Sequence, residues 1–85
     1  MIIMETIART PLQLGSHIRQ RRRQLGLTQE QLADKIGVRQ RTISELEKSA
    51  TARSTTVLSA LAALDLEMVI RPRTKSSAKD IEAIF

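Results

Sequence analysis

The sequence predicts an all-α fold, a bundle of four to five helices that contains a helix-turn-helix, with one short C-terminal strand that pairs across a dimer. Three observations predict it. Apolar residues recur at helical spacing, two of the three glycines directly follow such segments, and a β-branched segment ending at Pro72 comes last. The expected organisation is an N-terminal arm at 1–9, a helix-turn-helix domain at 10–71 whose dimerisation strand is 66–71, and a flexible tail at 72–85.

The first helix is expected to run from residue 11 to about residue 25. Thr10 can cap its N-terminus, and Pro11 suits the first helical position because its missing N–H is not needed there. Gly15 inside the helix costs about 1 kcal/mol relative to alanine, which predicts a close contact with another helix. The expected buried stripe is Leu14, Ile18 and Leu25.

Four arginines crowd this helix, at positions 19, 21, 22 and 23. Arg22 falls on the apolar stripe, where a charge requires a partner, and Glu47 is the expected one in a structural ion pair. Arg19 and Arg23 lie four residues apart on a neighbouring face. For these two, contact with phosphate and simple solvation of the helix both stay open.

Residues 28–47 predict a helix-turn-helix. Thr28 can cap the first of its two helices, and Gly37 ends that helix because glycine adopts a positive φ at little cost. The second helix then buries Ile43 and Leu46. Its outer side carries side chains of the kind that read base edges in a major groove, namely Gln40, Arg41, Ser44 and Glu45.

The charge balance favours a polyanionic partner. Lys and Arg total 14 against 9 acidic residues, which gives a net charge of +5. Phe85 is the one aromatic residue, which argues against binding single strands by base stacking. Without cysteine, and with one histidine, the chain offers no disulfide framework and no metal constellation. No paired acids or Gly-rich phosphate loop indicate an enzyme, so no cofactor, metal or catalytic residue is expected.

The first residues do not predict a secretory signal. The mostly apolar arm at 1–9 lacks the basic leader of a secretory signal, and no apolar run approaches the ~18 residues that a membrane span needs. A cytoplasmic protein without membrane contact, associated with the nucleoid, is expected. The arm itself is expected to fray, with addition of a strand to a partner as the alternative.

A polar loop at 48–53 follows the helix-turn-helix. Lys48 and Arg53 are candidates for contact with phosphate or the minor groove, with a solvated loop as the alternative. Ser54 can then cap a helix that runs to about Leu64 and contains no charged residue. We therefore expect this helix to be buried against the core and also against a second subunit.

Segment 66–71 alternates at first, is rich in β-branched residues and predicts one short strand. Because a single strand cannot satisfy its own backbone groups, the same segment of a twofold mate is the expected partner. The expected dimerisation residues are Leu61, Leu64, Leu66, Met68, Val69 and Ile70. The tail ends in an apolar tip that is a candidate docking motif for another protein, comprising Ile81, Ile84 and Phe85.

Residues 13–64 resemble the Xre/Cro-type helix-turn-helix family, most closely through the stretches GLTQEQLADKIGV and TISELE. Within that family the chain is most similar to HipB-type antitoxins. The T-P-x-x-L-G entry at 10–15, the KIGVRQRTIS core and the strand segment directly after the last helix carry this narrower resemblance.

The resemblance implies a lambda-repressor-like bundle that dimerises through a β-lid at 66–71 and docks one recognition helix in each operator half-site. It implies a repressor that binds an inverted-repeat, double-stranded operator and neutralises a HipA-like serine/threonine kinase, as the antitoxin of a type II toxin–antitoxin system. With the candidates above, the expected DNA contacts are Thr28, Gln29, Arg39, Gln40, Arg41, Ser44, Glu45, Lys48 and Arg53.

Two residues raise questions against the family pattern. The position before Gln40 is often a Ser or Thr cap, and here Arg39 gives up about 1 kcal/mol of capping but gains a cation. Glu45 would repel phosphate unless it accepts a hydrogen bond from a cytosine amine.

Two other functions compete with the antitoxin. One is a stand-alone Xre-family transcriptional regulator without a toxin partner, and the other is a protein-interaction module that keeps the fold without binding DNA. A kinase-like reading frame beside the gene favours the antitoxin over the stand-alone regulator. A gel shift with the protein's own promoter region separates both from the interaction module.

Overall fold

Residues 5–73 are described by a computed structural model. Four helices follow one another, α1 (Pro11–Gln24), α2 (Gln29–Ile36), α3 (Gln40–Ser49) and α4 (Ser54–Ala63). The predicted all-α bundle with a helix-turn-helix is confirmed, and α2 and α3 form the motif. Within residues 5–73 the single chain forms no strand, so the pairing of segment 66–71 across a dimer stays a prediction. In the same range, none of the helices has the length and apolar character to span a bilayer.

The core is aliphatic and draws on all four helices. Ile18 of α1, Leu32 of α2 and Leu46 of α3 have no exposed surface. Each such side chain stabilises the fold by roughly 1.5–3 kcal/mol through the apolar surface that it removes from water. The remaining core residues are Ala33, Ile43, Val57, Ala60, Leu61 and Leu64. This shared core holds α2 and α3 in one orientation relative to each other.

Leu61 and Leu64, which the sequence predicts at a dimer interface, lie in the core of their own chain. They are 6% and 0% exposed because they face the core of their own chain, so they have almost no surface to offer a second subunit. The exposed leucine of α4 is instead Leu58, at 50%. Because α4 contains no charged residue, its sequence does not show which of its sides faces the core.

Two further expectations at helix ends are corrected. Leu25 is 43% exposed, because α1 ends at Gln24 and the buried stripe ends with Arg22. Ser54 lies inside α4 as its first residue, and the N-cap is Arg53, whose side chain makes no capping hydrogen bond.

The caps of α1 and α2 confirm the predicted helix starts. The Thr10 hydroxyl accepts a hydrogen bond from the backbone N–H of Gln13 at 3.1 Å. Thr28 and Gln31 form a reciprocal capping box at the start of α2. At the other end, Gly37 adopts φ 74°, and the next residue donates its N–H back to the Ala33 carbonyl at 3.0 Å. This turn directs the chain from α2 into α3.

Gly15 confirms the predicted close contact between helices. A Cβ at this position would lie 2.5 Å from the carbonyl oxygen of Glu47 and 2.7 Å from that of Leu46. Because both atoms belong to the α3 backbone, neither can move aside as the end of a flexible side chain would. The absence of a side chain at Gly15 therefore lets α1 lie directly on the last turn of α3.

The two ends of the described chain meet beside α1. His17 Nε2 lies 3.0 Å from the Ile7 carbonyl oxygen, which brings the arm into contact with α1 at this residue. Arg71 and Glu5 form an exposed ion pair at 3.9 Å. After α4, Asp65 turns the chain with φ 57°, and the segment beyond it exposes its apolar residues.

Candidate nucleic-acid interface

A buried ion pair supports the base of the helix-turn-helix. Arg22 donates from Nε to Oε2 of Glu47 at 2.6 Å and from Nη2 to Oε1 at 3.0 Å, which confirms the predicted pair. The same guanidinium donates from Nη1 to the Leu27 carbonyl at 2.7 Å. Such bidentate geometry with a third hydrogen bond offsets the desolvation of the two buried charges. The pair joins α1, the turn before α2 and the end of α3.

Two glutamines extend this buried pair to the protein surface. Gln29, the first residue of α2, donates from Nε2 to Oε1 of Glu47 at 3.2 Å. Its Oε1 accepts from Nε2 of Gln40, the first residue of α3, also at 3.2 Å. The amide of Gln40 is therefore oriented by a chain of hydrogen bonds that begins in the core.

The outer side of α3 is open to solvent while its inner side is buried. Ile43 and Leu46 have no exposed surface, whereas Gln40 and Arg41 are exposed and Ser44 is partly so. Since no other described residue covers that outer side, a duplex can reach it. This is the arrangement in which a helix enters a major groove.

Arg41 and Glu45 form an ion pair on this outer side, with Nε and Oε1 3.1 Å apart. The two side chains are 87% and 47% exposed, so the pair contributes little stability. Glu45 thus has a cationic neighbour that offsets its repulsion of phosphate. Arg41 in turn can leave the pair at small cost when a better acceptor arrives.

The remaining expected contacts border the same side of the motif. Arg39 is exposed at the N-cap of α3 and makes no capping hydrogen bond, as its residue type predicts. Thr28 is exposed, but its hydroxyl is engaged in the capping box. Lys48 is exposed in the last turn of α3, and Arg53 is exposed where α4 begins.

A family model described as helix-turn-helix matches residues 18–68, more than half of the chain. The chain belongs to the helix-turn-helix family. The matched range contains α2, α3 and α4 and the second part of α1, including Arg22. The Xre-type resemblance read from the sequence is thereby confirmed.

Solved structures of HipB complexes are similar to this chain in fold and in sequence. A chain in the structure of a HipA-HipB-O2-O3 complex is 35% identical, with a TM-score of 0.73 over 84% of this chain and 100% of that one. A chain in a HipB-O4 20mer complex gives the same identity, TM-score and coverage, 35%, 0.73, and 84% and 100%. The predicted similarity to HipB therefore holds for the whole of those chains.

A curated relative matches a shorter stretch. An HTH-type transcriptional regulator of Methanothermobacter thermautotrophicus is 58% identical over 31 residues, which are 36% of this chain and 45% of that protein. The chain spans less than half the length of this relative.

Two features of this domain could not be found by residue pattern alone. The hydrogen bonds of Gln29 with Glu47 and Gln40 depend on the angle at which α2 and α3 cross, and the sequence does not show that angle. Arg21 donates from Nε to the Leu64 carbonyl at 3.0 Å, across 43 positions of sequence. The one signal for Arg21 is its place in an arginine cluster, which does not distinguish it from its neighbours.

Proposed function

We propose that this protein is a transcriptional repressor that binds double-stranded DNA sequence-specifically and acts as a HipB-like antitoxin. As a homodimer it binds an inverted-repeat operator, and it holds a HipA-like serine/threonine kinase inactive. The open outer side of α3, opposite its buried side, is the observation that carries the proposal. The protein acts by binding alone, without cofactor or catalysis, at the nucleoid in the cytoplasm.

Base recognition is assigned to the exposed residues of α3. Gln40 can pair with adenine through both ends of its amide, and Arg39 or Arg41 with guanine, each worth roughly 1–3 kcal/mol of discrimination. The hydrogen bond that Gln40 donates to Gln29 supports this role, because it holds the Gln40 amide in place before DNA binds. Arg41 exchanges its exposed Glu45 partner, worth about 0.3–0.5 kcal/mol, for the stronger guanine contact.

Affinity that does not depend on sequence is assigned to cations beside α3. Lys48 and Arg53 are exposed, with no side-chain partner among residues 5–73, so both can reach phosphate. Each neutralised phosphate steepens the fall of log K with log salt by roughly 0.9. Thr28 and Gln29 at the start of α2 contact the backbone at the groove edge, as the family resemblance implies.

The dimer contact is assigned to the exposed apolar residues after α4. Met68, Val69 and Ile70 are 52%, 67% and 93% exposed, and Leu66 beside them packs partly on the core. Pairing of segment 66–71 with its mate would cover these side chains and satisfy their backbone groups. A twofold dimer then presents two copies of α3 to half-sites about 34 Å apart, or a multiple of that.

The kinase partner is supported by similarity to HipB. The structures similar to this chain over their full length include one in which HipB is complexed with HipA. The proposed docking residues of this chain, Ile81, Ile84 and Phe85, lie outside the described residues. Because the HipA-bound chain is 35% identical to this one, a kinase of the HipA type is the partner to test.

The DNA proposal is tested by gel shift with the protein's own promoter region and a random duplex. Gln40→Ala should lose affinity for the promoter alone, by roughly 1–3 kcal/mol, with little change in salt slope. Arg53→Ala, the matched control, should weaken binding to both duplexes alike. Equal loss on both duplexes for Gln40→Ala would refute its base-reading role, and failure of the unaltered protein to prefer the promoter would refute the repressor.

The antitoxin proposal is tested separately by calorimetric titration with a purified HipA-like kinase from the neighbouring gene. The full chain should bind and suppress autophosphorylation, and a chain ending at residue 73 should bind less tightly while keeping its affinity for the promoter. Promoter binding without any kinase binding would identify the stand-alone regulator. Unchanged kinase affinity of the shortened chain would remove the docking role of the tail.

A further inference from the structure

The four arginines of α1 divide into two pairs. Arg21 donates to the Leu64 carbonyl at the end of α4, and Arg22 is buried against Glu47. Arg19 and Arg23 are exposed, and neither side chain makes a hydrogen bond or ion pair with any described residue. The cluster is therefore two structural arginines and two whose side chains reach only solvent.

Helix stability accounts for Arg23 but not for Arg19. Positions 19 and 23 are related as i and i+4, and like charges at that spacing destabilise a helix by roughly 0.2–0.5 kcal/mol. The helix dipole favours a cation in the last turn, which gives Arg23 a stabilising role. Arg19 lies about 1.4 turns before the end of α1 at Gln24, outside the last turn, and gains little from the dipole.

Arg19 and Arg23 line a shallow depression that is suited to anions. The other lining residues are uncharged hydrogen-bonding side chains, Ser16, Gln20 and Gln24. The α1 sequence, PLQLGSHIRQRRRQ, contains no carboxylate that could neutralise the depression from within the helix. We refer to these five residues as the Arg19/Arg23 surface.

The placement of its neighbours locates this surface on the domain. Gly15 and Arg22 face α3, and Arg21 reaches the end of α4. At 3.6 residues per turn, Arg19 and Arg23 each lie about 160° around α1 from Arg21, on the flank away from the end of α4. From Arg23 the chain leads through the turn at 25–28 directly to the start of α2, which borders the outer side of α3.

We propose that the Arg19/Arg23 surface binds the phosphodiester backbone of duplex DNA beside the bases that α3 reads. The proposal rests on the proposed DNA-binding function. Guanidinium groups bind phosphate oxygens bidentately, and serine and glutamine donors are common phosphate contacts. Six positions of sequence separate Arg23 from Gln29 at the start of α2, a span of at most about 22 Å, so a duplex bound at the start of α2 lies near Arg23 as well. This favours DNA over an acidic protein.

The test compares salt slopes for a random duplex between about 50 and 200 mM salt. Arg19→Gln/Arg23→Gln should make the slope of log K against log salt less steep by about 1.8. The affinity advantage of the unaltered protein over this variant should therefore shrink about 12-fold between about 50 and 200 mM salt. Arg9→Gln/Lys35→Gln is the matched control, because it removes the same two charges from exposed positions outside the surface. Arg19→Lys/Arg23→Lys should restore the slope.

The outcomes separate this proposal from the DNA-binding function itself. Equal slopes for the glutamine pair and the control overturn the Arg19/Arg23 contact, even when the unaltered protein binds its promoter. Reduced binding to a purified HipA-like kinase with unchanged DNA slopes also overturns it and assigns the surface to an acidic protein partner. All variants change exposed side chains, and equal thermal midpoints would show that folding is not the cause.

Discussion

Nε2 of Gln40 donates to Oε1 of Gln29 at 3.2 Å, and Gln29 donates in turn to the buried carboxylate of Glu47. A side chain that faces solvent is thus connected through one intermediary to the Arg22–Glu47 pair. In the proposed complex with DNA, the Gln40 amide has already lost rotational freedom when it contacts a base, so less entropy is lost on binding. Its second Nε2 hydrogen and its Oε1 remain available for the two bonds that adenine accepts and donates.

Removal of Gln29 should therefore damage base recognition without touching a base. We expect Gln29→Ala to weaken promoter binding, and the Gln29→Ala/Gln40→Ala double variant to lose less than the sum of the single losses, with a coupling of roughly 0.5–3 kcal/mol. Promoter and random-duplex affinities measured by fluorescence anisotropy provide the four corners of the cycle. Additive losses would mean that the two glutamines act independently.

Of the two acidic residues of α3, the buried Glu47 should contribute far more to stability than the exposed Glu45. Glu47→Gln leaves the Arg22 charge buried without a counter-charge, and we expect the free energy of unfolding to fall by roughly 3–5 kcal/mol. Glu45→Gln is the control, since it removes the exposed partner of Arg41 and should change stability by less than about 0.5 kcal/mol. Urea unfolding followed by circular dichroism measures both. A loss below 1 kcal/mol for Glu47→Gln would contradict the role of the pair.

Gly15→Ala should destabilise the domain, although alanine is the better helix former. The new Cβ would meet two backbone carbonyls of α3 at less than 3 Å, so α1 must shift, at a cost of roughly 1–3 kcal/mol. Ser16→Ala, the next position and exposed, should leave the free energy of unfolding within about 0.5 kcal/mol. Thermal melting of both variants decides it, and a higher midpoint for Gly15→Ala would show that α1 does not lie on α3 as described.

Arg39 should trade stability for DNA affinity. Because the N-cap of α3 lacks a side-chain bond, Arg39→Ser should raise the free energy of unfolding by roughly 0.5–1 kcal/mol and weaken binding to DNA. Arg39→Ala removes the same cation without supplying a cap, so it should weaken DNA binding with no gain in stability. If the serine variant binds DNA as well as the unaltered protein, Arg39 makes no DNA contact.

Local sequence signals predicted the helices because those signals act within a few residues. The capping box at Thr28, the left-handed Gly37 and the apolar spacing of α3 each determine a helix end or face without reference to the rest of the chain. The Arg22–Glu47 pair was also predictable, because a charge on an apolar stripe restricts the choice of partner. These features account for the fold of the helix-turn-helix.

Features that depend on packing between distant elements were not predictable in this way. The sequence around Leu61 and Leu64 does not distinguish a core leucine from an interface leucine, because burial of apolar surface is favourable in both environments. Arg21 and Arg23 differ in role because of where α4 ends, which sequence position does not show. The Gln29–Gln40 bond likewise depends on the angle at which two helices meet.

The two sides of α3 are chemically separate, and this has a consequence for engineering. Ile43 and Leu46 pack α3 into the core of its own domain, while Arg39 and Arg41 are exposed and make no contribution to that core. New DNA targets should therefore be obtainable by randomising the outward positions of α3 in a library, without redesign of the scaffold. Gln40 is the exception, because altering it also releases Gln29, and a library that varies the two together would respect that linkage.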